Sequence, residues 1–166
     1  MKKEVRKAAT LLGTALLAAS GFAHGGELTD NVDRFSGDRN IVWRALPATK
    51  DEFSFSSTVV IREGGARRAY DGNLITYGSR GRFANCNQSL WLVDGRRAPN
   101  IQTEYKSTRT SDSVIELFYL TNPKETLPVL AAAKTVEFRI CNQEGQISKA
   151  DLDGIRQVLQ RAGESN

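Results

Sequence analysis

The stretch from Lys134 to Gln160 constrains the fold most, because a two-residue period gives way to a helical one inside it. Thr135 to Cys141 alternates Val136, Phe138 and Ile140 against Thr135, Glu137 and Arg139, the pattern of a strand with one face on a core. A turn is expected at Glu144 and Gly145. Ser148 then stands as an N-cap, with Asp151 three residues on to return the bond, and Ile147 outside packing on Leu152 inside. Leu152, Ile155, Leu159 and Ala162 fall on one helical stripe, and Gly163 suits its end.

Upstream, the sequence reads as hairpin-linked strands. Asn40 to Ala45 and Phe53 to Ile61 alternate, with Ser54, Ser56 and Thr58 on the solvent side of the second. Gly64 and Gly65 supply a tight turn into Ala66 to Tyr70, and Asp71-Gly72-Asn73 repeats the turn signal before Leu74 to Tyr77. Gly78 and Gly81 frame a loop carrying Arg80 and Arg82. Ser89 to Val93 is a short apolar strand turned at Asp94-Gly95, with Ile101 to Tyr105 returning from it and Lys106 to Ser113 loop-like. Val114 to Leu120 is the strongest strand former, covered on both faces. Thr126, rather than Asn122, is expected to cap a short helix through Ala133, since Pro128 then falls in the first turn. The expected class is α+β: a mainly antiparallel sheet of about six to eight strands with two late helices on one side.

Residues 1–23 have the three parts of a secretory signal: Lys2, Lys3, Arg6 and Lys7, then an apolar run, then the small pair Gly21 and Ala23 before a cut. A spanning helix would need about 20 apolar residues, and this run is shorter and broken by Gly13 and Gly21. The expectation is a protein exported to the periplasm, or beyond the cell, with no integral membrane segment after signal removal. Residues 24–39 read as a polar arm that docks through Val32 and Phe35, 40–163 as one domain and 164–166 as a tail. In an oxidising compartment the two cysteines, Cys86 and Cys141, pair by default. Such a bridge restricts the unfolded chain by about 4 kcal/mol on the loop-entropy model. The words Cys-Asn-Gln follow Phe83 and Phe138 at equal spacing, which marks two similar strand ends rather than a repeat.

The chemistry is bounded by what is missing. The single histidine, His24, falls beside the expected cut, so a nucleophile in the mature chain has no histidine base. No cysteine–histidine metal pattern exists, and the glycine-rich turns lack the lysine and hydroxyl of a phosphate-cradling loop. Asp151-Leu152-Asp153-Gly154 fails the calcium-loop spacing. No cofactor is expected. Glu116 and Glu137, on late strands, are the carboxylate pair a hydrolase of envelope polymers would use, and Tyr70, Tyr77 and Trp91 would line a small-ligand carrier.

Nucleic acid is not expected as a partner, since export removes the chain from most of it and the net charge is small. Of 23 Lys and Arg and 19 Asp and Glu, the signal holds four and one, leaving nineteen against eighteen and a net charge of +1. The bias is local: Arg62 to Arg97 holds seven arginines, no lysine and three acids. Arg67, Arg68, Arg80, Arg82, Arg96 and Arg97, with Trp91, are the candidate binding residues, because planar guanidiniums clamp carboxylates and stack on rings. The leading expectation is a non-enzymatic exported binding or inhibitor module, recognising an acidic protein or envelope component.

Overall fold

The computed structural model describes residues 26–164, so the signal reading and His24 lie outside the described residues. The class is α+β and mainly sheet, with two antiparallel sheets and two helices. The larger sheet holds β1 (Glu27–Val32), β2 (Arg39–Arg44), β3 (Ser54–Ile61), β4 (Arg68–Gly78), β8 (Val114–Leu120) and β7 (Thr103–Arg109), in that spatial order. The smaller holds β10 (Gln143–Gln146), β9 (Val136–Ile140), β5 (Ser89–Val93) and β6 (Arg96–Arg97). Helices α1 (Pro123–Ala132) and α2 (Lys149–Arg161) pack on each other, α1 on β4 and α2 on β2 and β3, covering one face of the larger sheet.

Registers explain which side chains face them. Ile41 stands opposite Val59, and Phe55 opposite Leu74, which stands opposite Phe118. These are buried, whereas the alternate residues Ile75, Leu117 and Tyr119 are half-buried on the open face. Coverage of Val114 to Leu120 on both faces is therefore corrected: β8 alternates buried and half-buried. The two sheets meet through Phe53, Phe83, Phe118 and Phe138, whose ring centroids lie 5.1–6.3 Å apart.

Helix α2 follows its expected start, since Ser148 Oγ accepts from the Asp151 N–H at 3.0 Å. Asp151 does not return that bond. Its carboxylate is buried and accepts from Trp43 Nε1 at 2.9 Å and the Phe55 N–H at 3.2 Å, tying the helix start to β2 and β3. Gly154 lies under the same indole: a Cβ there would sit 2.1 Å from Trp43 Cδ2. Arg156 reaches across to the carbonyls of Ala131 and Ala133, both at 2.6 Å, supplying the cation that the end of α1 lacks in its own sequence.

Several local expectations fail for identifiable reasons. Asp71-Gly72-Asn73 is not a turn but the middle of β4; Gly72 is small there because a Cβ would meet Leu120 at 2.9 Å and Leu127 at 3.1 Å. Glu144 and Gly145 belong to β10, and the chain reverses three residues earlier at Cys141-Asn142, where Cys141 takes φ +56°. The return from Asp94-Gly95 is the two-residue β6, whereas residues 103–109 pair with β8, which extends strand over the supposed loop. Helix α1 begins at Pro123 after Asn122, and Thr126 is buried inside it. Pro at the first position is preorganised for a helix, and Pro128 is carried in the interior by the buried Leu127, Leu130 and Ala131. Within 24–39, residues 27–32 form edge strand β1, and Val32 and Phe35 are exposed rather than docked. Glu164, expected in a tail, bonds Arg68 and the Tyr70 hydroxyl.

Cys86 and Cys141 are bridged, with Cα atoms 6.0 Å apart. Ser89 pairs with Ile140, so the bridge closes the end of the β5–β9 ladder, where both strands leave the sheet. No helix among the described residues is long and apolar enough to cross a membrane.

Candidate functional site

The arginines do not form one patch. Arg67 and Arg68 lie where the β3–β4 hairpin enters β4, and Arg80 and Arg82 follow its other end. Ten residue steps separate Arg68 from Gly78, roughly 33 Å at strand rise. Arg96 and Arg97 stand apart from both, on the edge strand of the smaller sheet.

Arg82 is internal rather than displayed. Its guanidinium donates to Thr76 Oγ1 and Gln143 Oε1, each at 2.9 Å, and lies 3.2 Å from Asp51. Below it Glu116 is fully buried: Oε1 accepts from the Arg82 and Phe83 N–H groups at 2.9 Å and from the Tyr105 hydroxyl at 2.8 Å. Burial, reinforced by that carboxylate, pushes the Tyr105 hydroxyl above its ordinary pKa. The knot fastens the loop carrying Cys86 onto β8. It also corrects the carboxylate-pair reading, because Glu116 faces the core of one sheet while Glu137 is exposed on the other. Tyr70, Tyr77 and Trp91 likewise line no common space: Tyr70 bonds Glu164, Tyr77 alternates onto the open face of the larger sheet, and Trp91 packs on Phe138.

One concave site does collect predicted residues. On the outer face of the smaller sheet a groove of about 680 Å³ is lined by Leu90, Leu92, Arg97, Glu137, Arg139 and Glu144, and walled by Pro99 and Gln102. The registers put these side chains together: Leu90 is opposite Arg139, Leu92 opposite both Glu137 and Arg97, and Glu144 opposite Arg139. Trp91 and Phe138 alternate with these side chains and are buried against each other, yet both also border the groove, so Trp91 is one predicted residue that it collects. Leu90 is half exposed, and Arg139 leans on Glu144 at 3.6 Å, while Arg97 has no ion-pair partner among the described residues. Its turn is rigid: Asp94 and Gly95 both take positive φ, and the Asp94 carboxylate accepts from the Lys134 and Thr135 N–H groups, which hold it below its ordinary pKa. Leu90 and Leu92 were missed as site residues, although their alternation with Trp91 was the available signal. The residues of Arg67, Arg68 and Arg80 lie outside this groove.

No protein-family model, curated protein or solved structure matches this chain.

Proposed function

We propose that the protein is an exported binding module, and that the groove on its smaller sheet holds an extended, apolar segment of a protein or envelope partner bearing a carboxylate. The observation that carries the reading is the pair of outward leucines beside Arg97, a cation with no internal employment. Apolar floors with a few placed polar groups are how binding sites combine affinity with orientation. The groove volume falls within the range of such sites. A disulfide closing the ladder beneath it suits an oxidising compartment. The groove displays Leu90 and Leu92 beside Arg97 and Arg139, with Glu137 and Glu144 also in its lining, a mixed apolar and charged surface of the kind that orients a bound segment.

The test is capture from envelope extract by tagged protein from residue 24 onward, in parallel with Leu90→Asp, Arg97→Glu and the remote pair Arg67→Ala, Arg68→Ala. A stoichiometric partner lost with the first two and kept by the remote pair is the expected result. A partner lost only with the remote pair, or none with any protein, removes the groove as the site.

A further inference from the structure

A second surface lies at the other end of the larger sheet, independent of the groove. The β1–β2 hairpin tip displays Phe35, 86% exposed, with Val32, 63% exposed, beside it. This tip is built, not frayed. Asp33 Oδ1 accepts from the N–H groups of Phe35 at 2.7 Å and Ser36 at 3.0 Å, the Gly37 N–H returns to the Asp33 carbonyl at 2.8 Å, and Gly37 takes φ +72°. Asp38 then locks it to the next hairpin through Arg62 and the Glu63 N–H. An aromatic ring is thus held in water by a specified turn, with Arg34 stacked over it at 4.6 Å.

Its surroundings are close to neutral by count but not by presentation. In the ion pairs Arg62–Asp38, Arg39–Asp30, Arg161–Asp30 and Arg68–Glu164 the carboxylates are 14–23% exposed and the guanidiniums 33–53%. Within these pairs the acids are recessed and the arginines turned outward, while Asp33 in the turn and Glu63 of the next hairpin are exposed acids beside them. Arg34 and Arg67 add exposed cations with no ion-pair partner among the described residues. Between the two hairpins Arg62, Arg67, Arg68 and Ser36, with the carboxylates Asp38 and Glu63, line a polar hollow of about 610 Å³, in which Asp38 is taken up by Arg62. An apolar knob standing among the outward guanidiniums of Arg34, Arg62 and Arg67 matches the chemistry of an interface where acyl chains meet anionic headgroups.

We propose that this end of the molecule is a peripheral membrane-docking surface: Phe35 and Val32 enter the interface of an anionic phospholipid bilayer while Arg34, Arg62 and Arg67 engage its phosphates. Flotation of the chain from residue 24 onward, which contains every described element, tests it with vesicles of phosphatidylcholine alone and with 30% phosphatidylglycerol. The wild type is expected to float with the anionic vesicles only. Phe35→Ser is expected to weaken binding on the order of tenfold or more, from the apolar area no longer buried. The pair Arg34→Glu, Arg67→Glu is expected to abolish it at 0.15 M salt. Because Phe35 is solvent-exposed, its removal should leave the thermal midpoint unchanged, which separates docking from folding. Trp43 and Trp91 are buried, so Phe35→Trp adds a readable fluorophore, expected to shift blue on vesicle addition and to be quenched by brominated lipid. Absence of flotation, flotation of Phe35→Ser equal to wild type, or an unshifted Phe35→Trp spectrum would each overturn the proposal. Retention of an envelope protein through Phe35 without vesicle binding would overturn it in favour of a protein partner.

Discussion

Gly154→Ala separates local helix preference from tertiary packing, because the two predict opposite signs. In a helix interior, alanine is favoured over glycine by about 1 kcal/mol. In this fold the new methyl would stand 2.1–2.4 Å from Cδ2, Cε2 and Cγ of the Trp43 indole. Normal carbon contacts need roughly 3.5–4 Å, so the ring would have to retreat by about 1.5 Å. It has no slack: Trp43 is buried in β2, and its Nε1–H is held by Asp151 at 2.9 Å. Overpacking costs about 1–3 kcal/mol, and a broken buried hydrogen bond about 1–3 more. After subtracting the helix gain, the net is destabilisation of about 3 kcal/mol. Urea unfolding followed by circular dichroism should show the midpoint falling by roughly 1–2 M at ordinary slopes for a small domain. In Trp43→Leu, where the indole is gone, the same Gly154→Ala change should become neutral or stabilising, a coupling that only contact between the two positions produces. An unchanged or raised midpoint for Gly154→Ala alone would refute the argument.

The buried carboxylate and the acid limb give two further tests. Glu116→Gln replaces an oxygen facing the Arg82 N–H with an amide donor and removes the charge beneath a guanidinium that is 23% exposed; a loss of about 2–4 kcal/mol is expected, with selective loss of amide protection at Arg82 and Phe83 in hydrogen exchange, and a midpoint within experimental error of wild type would contradict it. Asp30 is held below its ordinary pKa chiefly by its hydrogen bond from Arg39, with burial opposing and Arg161 assisting. A depressed folded-state pKa contributes stability present above the unfolded value near 4 and lost as pH falls through the folded one. Stability should therefore drop below about pH 4, and Asp30→Asn should flatten that slope; equal slopes between pH 5 and 2.5 would exclude Asp30 as a contributor.

The parts of the fold legible in the sequence were those decided by local physics. The alternation in Val136–Ile140, the Ser148 cap and the stripe through Leu152, Ile155 and Leu159 each depend on neighbours a few residues away, and all stand as read. The misreadings share a cause. Gly72 reads as a turn residue, but it is small because Leu120 and Leu127 lie against it; Gly154, inside the expected helix, is likewise small because of the distant Trp43. Pairing partners were equally hidden: residues 106–109 carry the polar composition of a loop because β7 is an edge strand with its outer side in water, and 103–105, read as a strand, pair with β8 rather than with Ser89 to Val93.

Arginine counting met the same limit at the level of the site. Seven arginines within 36 positions suggest one patch only if the chain stays in place, and β4 instead carries it across the whole sheet between Arg68 and Arg80. Arg82 is then spent on Glu116, Thr76 and Gln143, holding the smaller sheet against the far end of β4. That leaves two separate surfaces, a leucine-floored groove with Arg97 on the smaller sheet and the Phe35 knob among outward guanidiniums at the hairpin end. If the hairpin end rests on a bilayer, the Gly78 end of β4 and the sheet fastened there point away from it, and the groove remains open to a partner. The two variants Arg97→Glu and Phe35→Ser should then act independently, one on partner capture and the other on flotation. Loss of both activities by either change would mean a single surface and a different path of the chain between them.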